Sequence, residues 1–310
     1  MMTTIEDRPA GTLAPVLTPF KPDGSPCTRR FIEHCERLLE QDVGIVLFGT
    51  NSEAASMTVH EKRTLLDALR EAAGLPRRMM VGVGSCAPAE TVELTRAALD
   101  SGCSNVLMLP PFFYKGVSDE GLFRSVAQVI ESVGDTRLRI YLYHIPAVSQ
   151  VPFSVSLIAR LLNAYPGAMA GIKDSSGDPV HTLDLISEFR GHSFDVFAGN
   201  ETHLVDVMSA GAAGVISATA NVNGAAIARL CNEWDTPTAP TEQAAVNRLR
   251  SAFSKFPMIA AMKTAIAARL DDATWAHVRA PLIELDAGQQ DTLLSELITM
   301  GYASPHEQLS

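Results

Sequence analysis

The sequence predicts a (β/α)₈ barrel followed by a helical extension, and three observations carry that expectation. Eight short runs rich in Val, Ile and Leu recur at residues 13–17, 44–48, 79–83, 105–109, 139–143, 168–172, 194–198 and 213–217. None alternates apolar with polar residues, which is how a parallel strand buried on both faces reads. Amphipathic stretches separate the runs and give a βα period of roughly 25–30 residues, as a closed α/β barrel requires. After Trp234 the strand pattern stops. The expected division is therefore a barrel over 1–234 that carries the active site and a helical region over 235–310. The latter opens on the linker Thr236-Pro237-Thr238-Ala239-Pro240 and reads as about three helices.

The intervening segments have the grammar of helices. Thr58 and Glu61 form a capping box ahead of Leu65, Leu66, Leu69, Ala72 and Ala73, which share one face. Ser118 opens the segment holding Leu122 and Val133, and Ser154 opens the one holding Leu157 and Leu162. Asp178 followed by Pro179 is an N-cap with proline at the first helical position, leading to Leu183, Ile186 and Phe189. Gly74, Gly134 and Gly191 are expected to close helices. The rival architecture is a doubly wound open sheet. It would carry G-x-G-x-x-G after the first strand, where Thr18-Pro19-Phe20 stands instead. Gly82 and Gly84 lack the third glycine and read as a tight strand end.

Composition narrows the function classes. The 310 residues are 46% hydrophobic and 19% charged, enough apolar material for a full core and too little charge for global disorder. Lys and Arg number 25 against 35 Asp and Glu, a formal charge of -10 that argues against a nucleic-acid or anionic-membrane surface. A small anion remains a possible ligand, since one buried lysine and a few backbone N–H groups can hold a carboxylate. No apolar run approaches the ~18 residues of a membrane span. Residues 1–11 carry Glu6 and Asp7 with no apolar segment, so they do not read as a signal peptide. The five cysteines are odd in number and include no C-x-x-C pair, which reads as reduced structural thiols in a cytoplasmic protein. No metal-ligand spacing stands out, and no cofactor is expected.

In such a barrel, function sits on the loops after the strands. After the second run comes G-T-N-S-E-A at 49–54, a small polar turn that offers N–H groups and hydroxyls to an anion and that serves equally well as an ordinary turn. The fifth run ends in Tyr143, followed by His144, Ile145 and Pro146. A tyrosine there can carry a proton, or can simply pack with its hydroxyl bonded. The sixth ends in Gly171-Ile172-Lys173-Asp174. A lysine at the mouth of an apolar barrel is drawn out of water, which favours the neutral nucleophilic amine; the plain alternative is a lysine that reaches solvent or pairs with Asp174. The seventh and eighth runs add Gly199, Asn200, Glu201 and Ser217 at the same end, where Glu201 can also act only as an acidic group at a helix start.

Taken in order, the motifs are G-T-N-S-E-A, P-P-F-F-Y at 110–114, Y-H-I-P at 143–146, G-I-K-D-S-S-G-D at 171–178, A-G-N-E at 198–201 and G-V-I-S-A-T-A-N at 214–221. That order resembles the dihydrodipicolinate synthase / N-acetylneuraminate lyase family of pyruvate-dependent class I aldolases, from about Leu13 to the helical tail. The resemblance implies that Lys173 forms an imine with a 2-oxo acid and that Tyr143 shuttles protons. It implies that Thr50 and Asn51 bind the substrate carboxylate, that Ile216 lines the site with its backbone carbonyl, and that the chain assembles as a homotetramer. No metal is needed, because a protonated imine is itself the electron sink.

Three departures from the family pattern bear on substrate. Dihydrodipicolinate synthases usually carry an arginine two residues after the Y-x-x-P proline, where this chain has Val148. The position of the relay tyrosine falls on Phe113, beside Tyr114. The G-x-D-E of the neuraminate lyases is Gly199-Asn200-Glu201-Thr202, which leaves Glu201, with Ser217, to meet substrate hydroxyls. The expected activity is thus an aldolase or dehydratase acting on pyruvate, a 2-oxo-3-deoxy sugar acid or a related 2-oxo acid. Behind it stand a genuine dihydrodipicolinate synthase with another carboxylate partner and, from a different class, a non-catalytic barrel that binds ligand or regulates. Retention of both Lys173 and Tyr143 speaks against the last. A phosphate-binding barrel would want a glycine-rich anion site where Gly199 is followed by an acid.

Overall fold

A computed structural model describes residues 8–74 and 77–302. Eight parallel strands close on themselves in chain order: β1 Gly11–Pro15, β2 Gly44–Leu47, β3 Met79–Gly82, β4 Asn105–Met108, β5 Arg139–His144, β6 Met169–Asp174, β7 Asp195–Ala198 and β8 Gly214–Ile216. Closure is made by β1 against β8, with Leu13 opposite Ile216. The ring of helices comprises α1 Thr28–Glu40, α2 Val59–Ala73, α3 Pro88–Ser101, α4 Asp119–Val133, the single turn α5 Pro146–Ser149, α6 Val155–Ala164, α7 Pro179–Glu188, α8 Leu204–Ala210 and α9 Ala220–Asn232.

The strands lack polar alternation because each of their faces meets an apolar layer. Val46 points inward to join Leu13, Met80, Leu107, Tyr141, Phe197 and Ile216 in the barrel interior. Its neighbours Ile45 and Leu47 point outward to meet the helices. Each such buried aliphatic side chain contributes about 2 kcal/mol of burial free energy. Capping follows the sequence closely. Thr58 accepts from Glu61 N in a full capping box, Ser118, Ser154 and Asp178 each cap the helix they precede, and Gly134 closes α4 in the left-handed region. Two expectations shift. The helix before Gly191 ends earlier, on Phe189, so Gly191 sits in the following turn. Pro240 belongs to the first turn of the next helix rather than to a linker.

The amino-terminal end of the barrel is filled. Arg8 donates to Ser193 O at 2.6 Å and pairs with Asp195 at 3.2 Å, and Tyr141 Oη donates to the other oxygen of Asp195 at 2.9 Å. Burial raises Asp195 above the usual carboxylate range, against the pull of Arg8 and the Tyr141 hydrogen bond.

Three further helices follow: α10 Ala239–Phe253, α11 Met258–Leu270 and α12 Ala287–Thr299. They enclose a separate apolar cluster with Phe253, Met262, Trp275 and Leu293, into which Leu17 and Val222 project from the barrel. Polar ties fasten the same seam. Arg30 of α1 grips Asp272, with Nη2 to Oδ1 at 3.1 Å, and Lys263 of α11 pairs with Glu53 above the barrel.

Candidate active site

Lys173 and Tyr143 stand directly opposite each other in the pairing of β5 with β6. Lys173 lies inside its strand rather than after it, and only 3% of it is exposed. Its Nζ sits 4.3 Å from the centroid of the Tyr143 ring, which brings the amine and the phenol to one spot. Gly171, two residues earlier and on the same face, explains the space beneath. A side chain there would collide with the Tyr141 ring at 2.7 Å, so the missing Cβ lets Tyr141 form a floor under the lysine. The alternative of a pair with Asp174 is not realised. That carboxylate points away, accepting from Ser176 N at 3.0 Å, Thr182 Oγ1 at 2.6 Å and His181 Nδ1 at 3.1 Å. Among the described residues no carboxylate lies within ion-pair distance of Lys173.

Thr50 reaches the same spot from the second strand. Its Oγ1 is 3.2 Å from Tyr143 Oη, so the phenol has a hydroxyl neighbour through which a proton can pass. Thr50, Asn51 and Ser52 form a tight 3₁₀ turn. Ser52 holds it from below, donating to Val16 O and accepting from Gly49 N at 3.2 Å, while Thr18 donates to Ser52 O at 2.8 Å. Asn51 stays partly exposed at the rim beside Thr50.

The remaining expected residues divide. Ile216 is buried in the barrel interior with Tyr143. Gly199 follows β7, and its N–H donates to Asp174 O at 2.7 Å; a Cβ there would strike Ser175 Oγ and come within 2.6 Å of Asp174 O. Gly199 thus lets the end of β7 close against the strand that carries Lys173. Glu201 and Ser217 meet each other at the ends of their strands. Both are buried, and the Glu201 carboxylate is already occupied by Ser217 Oγ, Thr219 Oγ1 and Arg250 Nη1, the last at 3.0 Å. They tie the barrel rim to α10. Val148 lies on α5 and is 63% exposed, with no cation in its place. Phe113 and Tyr114 are 72% and 74% exposed, packed edge-to-face on each other at 5.2 Å, and neither meets Tyr143 within the chain.

One grouping was not legible in the sequence. His144, Asp174 and His181 each offer a ligand atom within 4.8 Å of the others, on the outer side of the strands that hold Tyr143 and Lys173. Their groups are largely satisfied locally. The rings stack nearly parallel at 4.8 Å, and His144 Nδ1 accepts from Phe153 N at 3.1 Å. Burial holds His144 below the ordinary histidine range, opposed by Asp174 and reinforced by His181. The signal was present only as a period-two pattern, Tyr143 in and His144 out, Lys173 in and Asp174 out. The five cysteines are free thiols, and burial pushes Cys103 up to about 11.

A closed parallel barrel with a desolvated lysine against a tyrosine at its carboxyl-terminal rim defines the class, a lyase of the class I aldolase type that works through an amine. The comparisons agree. The model of the dihydrodipicolinate synthetase family matches residues 8–299, and the chain belongs to that family. It is 29% identical over 299 residues to the 4-hydroxy-tetrahydrodipicolinate synthase of Methanococcoides burtonii, covering 94% of this chain and 98% of that one. It is 32% identical over 215 residues to an uncharacterized DapA-like lyase of Chloroflexus aurantiacus, covering 68% and 70% respectively. The crystal structure of dihydrodipicolinate synthase from Agrobacterium tumefaciens superposes with a TM-score of 0.86 at 30% identity, covering 93% of this chain and 99% of that one.

Proposed function

We propose that Lys173 attacks the carbonyl carbon of a 2-oxo acid, pyruvate or a 2-oxo-3-deoxy sugar acid, and carries it as an imine through cleavage or condensation. The observation that supports this most is the contact of Lys173 Nζ with the Tyr143 ring at 4.3 Å, together with the Tyr143–Thr50 hydroxyl pair at 3.2 Å. Attack by the neutral amine gives a carbinolamine. Tyr143 then donates a proton to the departing oxygen, water leaves, and the iminium remains. The iminium accepts the electron pair of a neighbouring C–H or C–C bond as an enamine, so no free carbanion forms. Thr50 relays protons to and from Tyr143 and, with Asn51, holds the carboxylate by hydroxyl and amide donors. The test is borohydride trapping on the whole protein with a panel of 2-oxo acids. A mass increase on Lys173 is expected and should vanish in Lys173→Ala; absence of an adduct with every acid would remove the imine.

Among substrates, Val148 favours a neutral, hydroxylated chain over aspartate semialdehyde. A second carboxylate brought to this rim would find an apolar side chain in place of an arginine at 148, with Lys115 already engaged by Ser149 O at 2.7 Å. Assembly as a homotetramer is the family's implication, supported by Phe113 and Tyr114, large rings that the single chain leaves uncovered. Action in the cytoplasm fits the free thiols.

A further inference from the structure

We infer that Lys263, on a C-terminal helix far along the chain from the barrel motifs, is a positioning residue for the carboxylate-binding turn. Lys263 is 0% exposed, a rare state for a lysine. Its Nζ donates to Glu53 Oε1 and to His277 O at 2.8 Å, and lies over the Phe20 ring at 4.5 Å. The second oxygen of Glu53 accepts from Arg279 N at 2.7 Å. Both Glu53 oxygens are therefore held by the segment after α10, and the proton donors come from two separate places in it.

Glu53 directly follows the 3₁₀ turn of Thr50, Asn51 and Ser52, and its backbone is left-handed, with φ 57°. A non-glycine residue persists there only where its surroundings over-determine it. The side chain supplies that constraint. The turn is thus gripped from two sides: Val16 and Thr18 of the barrel hold Ser52, and Lys263 with Arg279 hold Glu53. Thr50 and Asn51 lie immediately before this anchored stretch. A shift of Glu53 swings them relative to Tyr143, whose hydroxyl meets Thr50 at 3.2 Å. A buried ion pair is a poor device for stability alone, since desolvating both charges offsets most of their attraction, but it is a directional one. Lys263 does not touch the reacting atoms. It sets where the groups that receive the substrate carboxylate stand.

The inference rests on the imine at Lys173, so its test uses the same chemistry with a different readout. Pyruvate concentration is varied, borohydride traps the adduct, and the half-saturating concentration is measured for the full-length wild type, Lys263→Met, Glu53→Gln and Arg30→Met. Arg30 also ties the barrel to the C-terminal segment, through Asp272, but does not touch the turn. Half-saturation should rise about tenfold or more in Lys263→Met and Glu53→Gln, the scale of misplacing a binding group by a fraction of ~1 Å. Arg30→Met should lower thermal stability and leave half-saturation where it was. If Lys263→Met does not fold, the isosteric Glu53→Gln carries the test. In an Asn51→Ala background, Glu53→Gln should add little further, because both act through one turn. Unchanged half-saturation in a folded Glu53→Gln, or effects that simply add in the double variant, would overturn the inference while the imine stands. No adduct on the wild type would remove the imine and this inference with it.

Discussion

His34 should make the protein acid-sensitive in a way that one substitution removes. The ring of His34 is buried between α1, the segment after β1 and the C-terminal region, edge-on to Trp275 at 5.1 Å. Asn221 Oδ1 accepts from Leu17 N at 3.1 Å and from His34 Nε2 at 2.9 Å, while Asn221 Nδ2 donates to Pro15 O and Ala218 O. That network leaves Nε2 as the donor, so the neutral ring satisfies it. Burial, opposed by the Asn221 hydrogen bond and reinforced by Arg37, lowers the histidine from 6.5 to about 4. The folded state thus binds fewer protons than the unfolded chain as pH falls from 6.5 toward 4. Stability from this residue is complete above pH 6.5 and is lost through that window. The full loss is ~3 kcal/mol, at ~1.4 kcal/mol per pH decade, with about 2 kcal/mol gone by pH 5. Urea unfolding at pH 7 and pH 5 measures it. His34→Gln keeps an N–H donor and does not titrate, so the fall between the two pH values should shrink by about 2 kcal/mol. If wild type and variant lose stability in parallel, the ring is not held neutral by the fold.

Three further outcomes are expected. Tyr143→Phe should keep the fold and most pyruvate trapping at equilibrium but slow turnover by ~10²-fold or more, the usual contribution of a general acid/base; near-normal kcat would assign the proton to another group. Pyruvate plus aspartate semialdehyde should give a lower kcat/KM than 2-oxo-3-deoxy acids, with Val148→Arg narrowing the gap; a semialdehyde advantage of ~10-fold would reverse the substrate assignment. Glu201→Ala should cost about 3 kcal/mol of unfolding free energy, since it strands Arg250 and two buried hydroxyls. A loss confined to KM, with the urea midpoint unmoved, would instead return Glu201 to the substrate.

The barrel was legible because its signals are local. Eight apolar runs and capping residues such as Thr58, Ser118 and Asp178 all speak through neighbours in sequence. The pair of Lys173 with Tyr143 was legible because adjacent parallel strands put their ends together. The partners of Glu201 were not legible because they are remote in sequence. Arg250 lies 49 residues on, in a helix whose sequence says nothing about which carboxylate it will meet. Glu53 was passed over for the same reason, since its partner Lys263 is 210 residues away. Buried charges are recognisable only once their counter-charges are placed in space.

The plugged end of the barrel has a kinetic consequence. With Arg8, Asp195 and Tyr141 closing that end, substrates are expected to approach Lys173 from the opposite rim. Lys173 is buried at that rim, while Val148 on α5 is exposed. If Lys173 carries the acid as proposed, the keto acid should be seated before a second reactant, and after cleavage the other fragment should depart first. On that proposal the lysine-bound acid is expected to be first in and last out. A non-reacting aldehyde analogue that binds only the acid-loaded enzyme should then appear in the rate law as inhibition uncompetitive with respect to the keto acid.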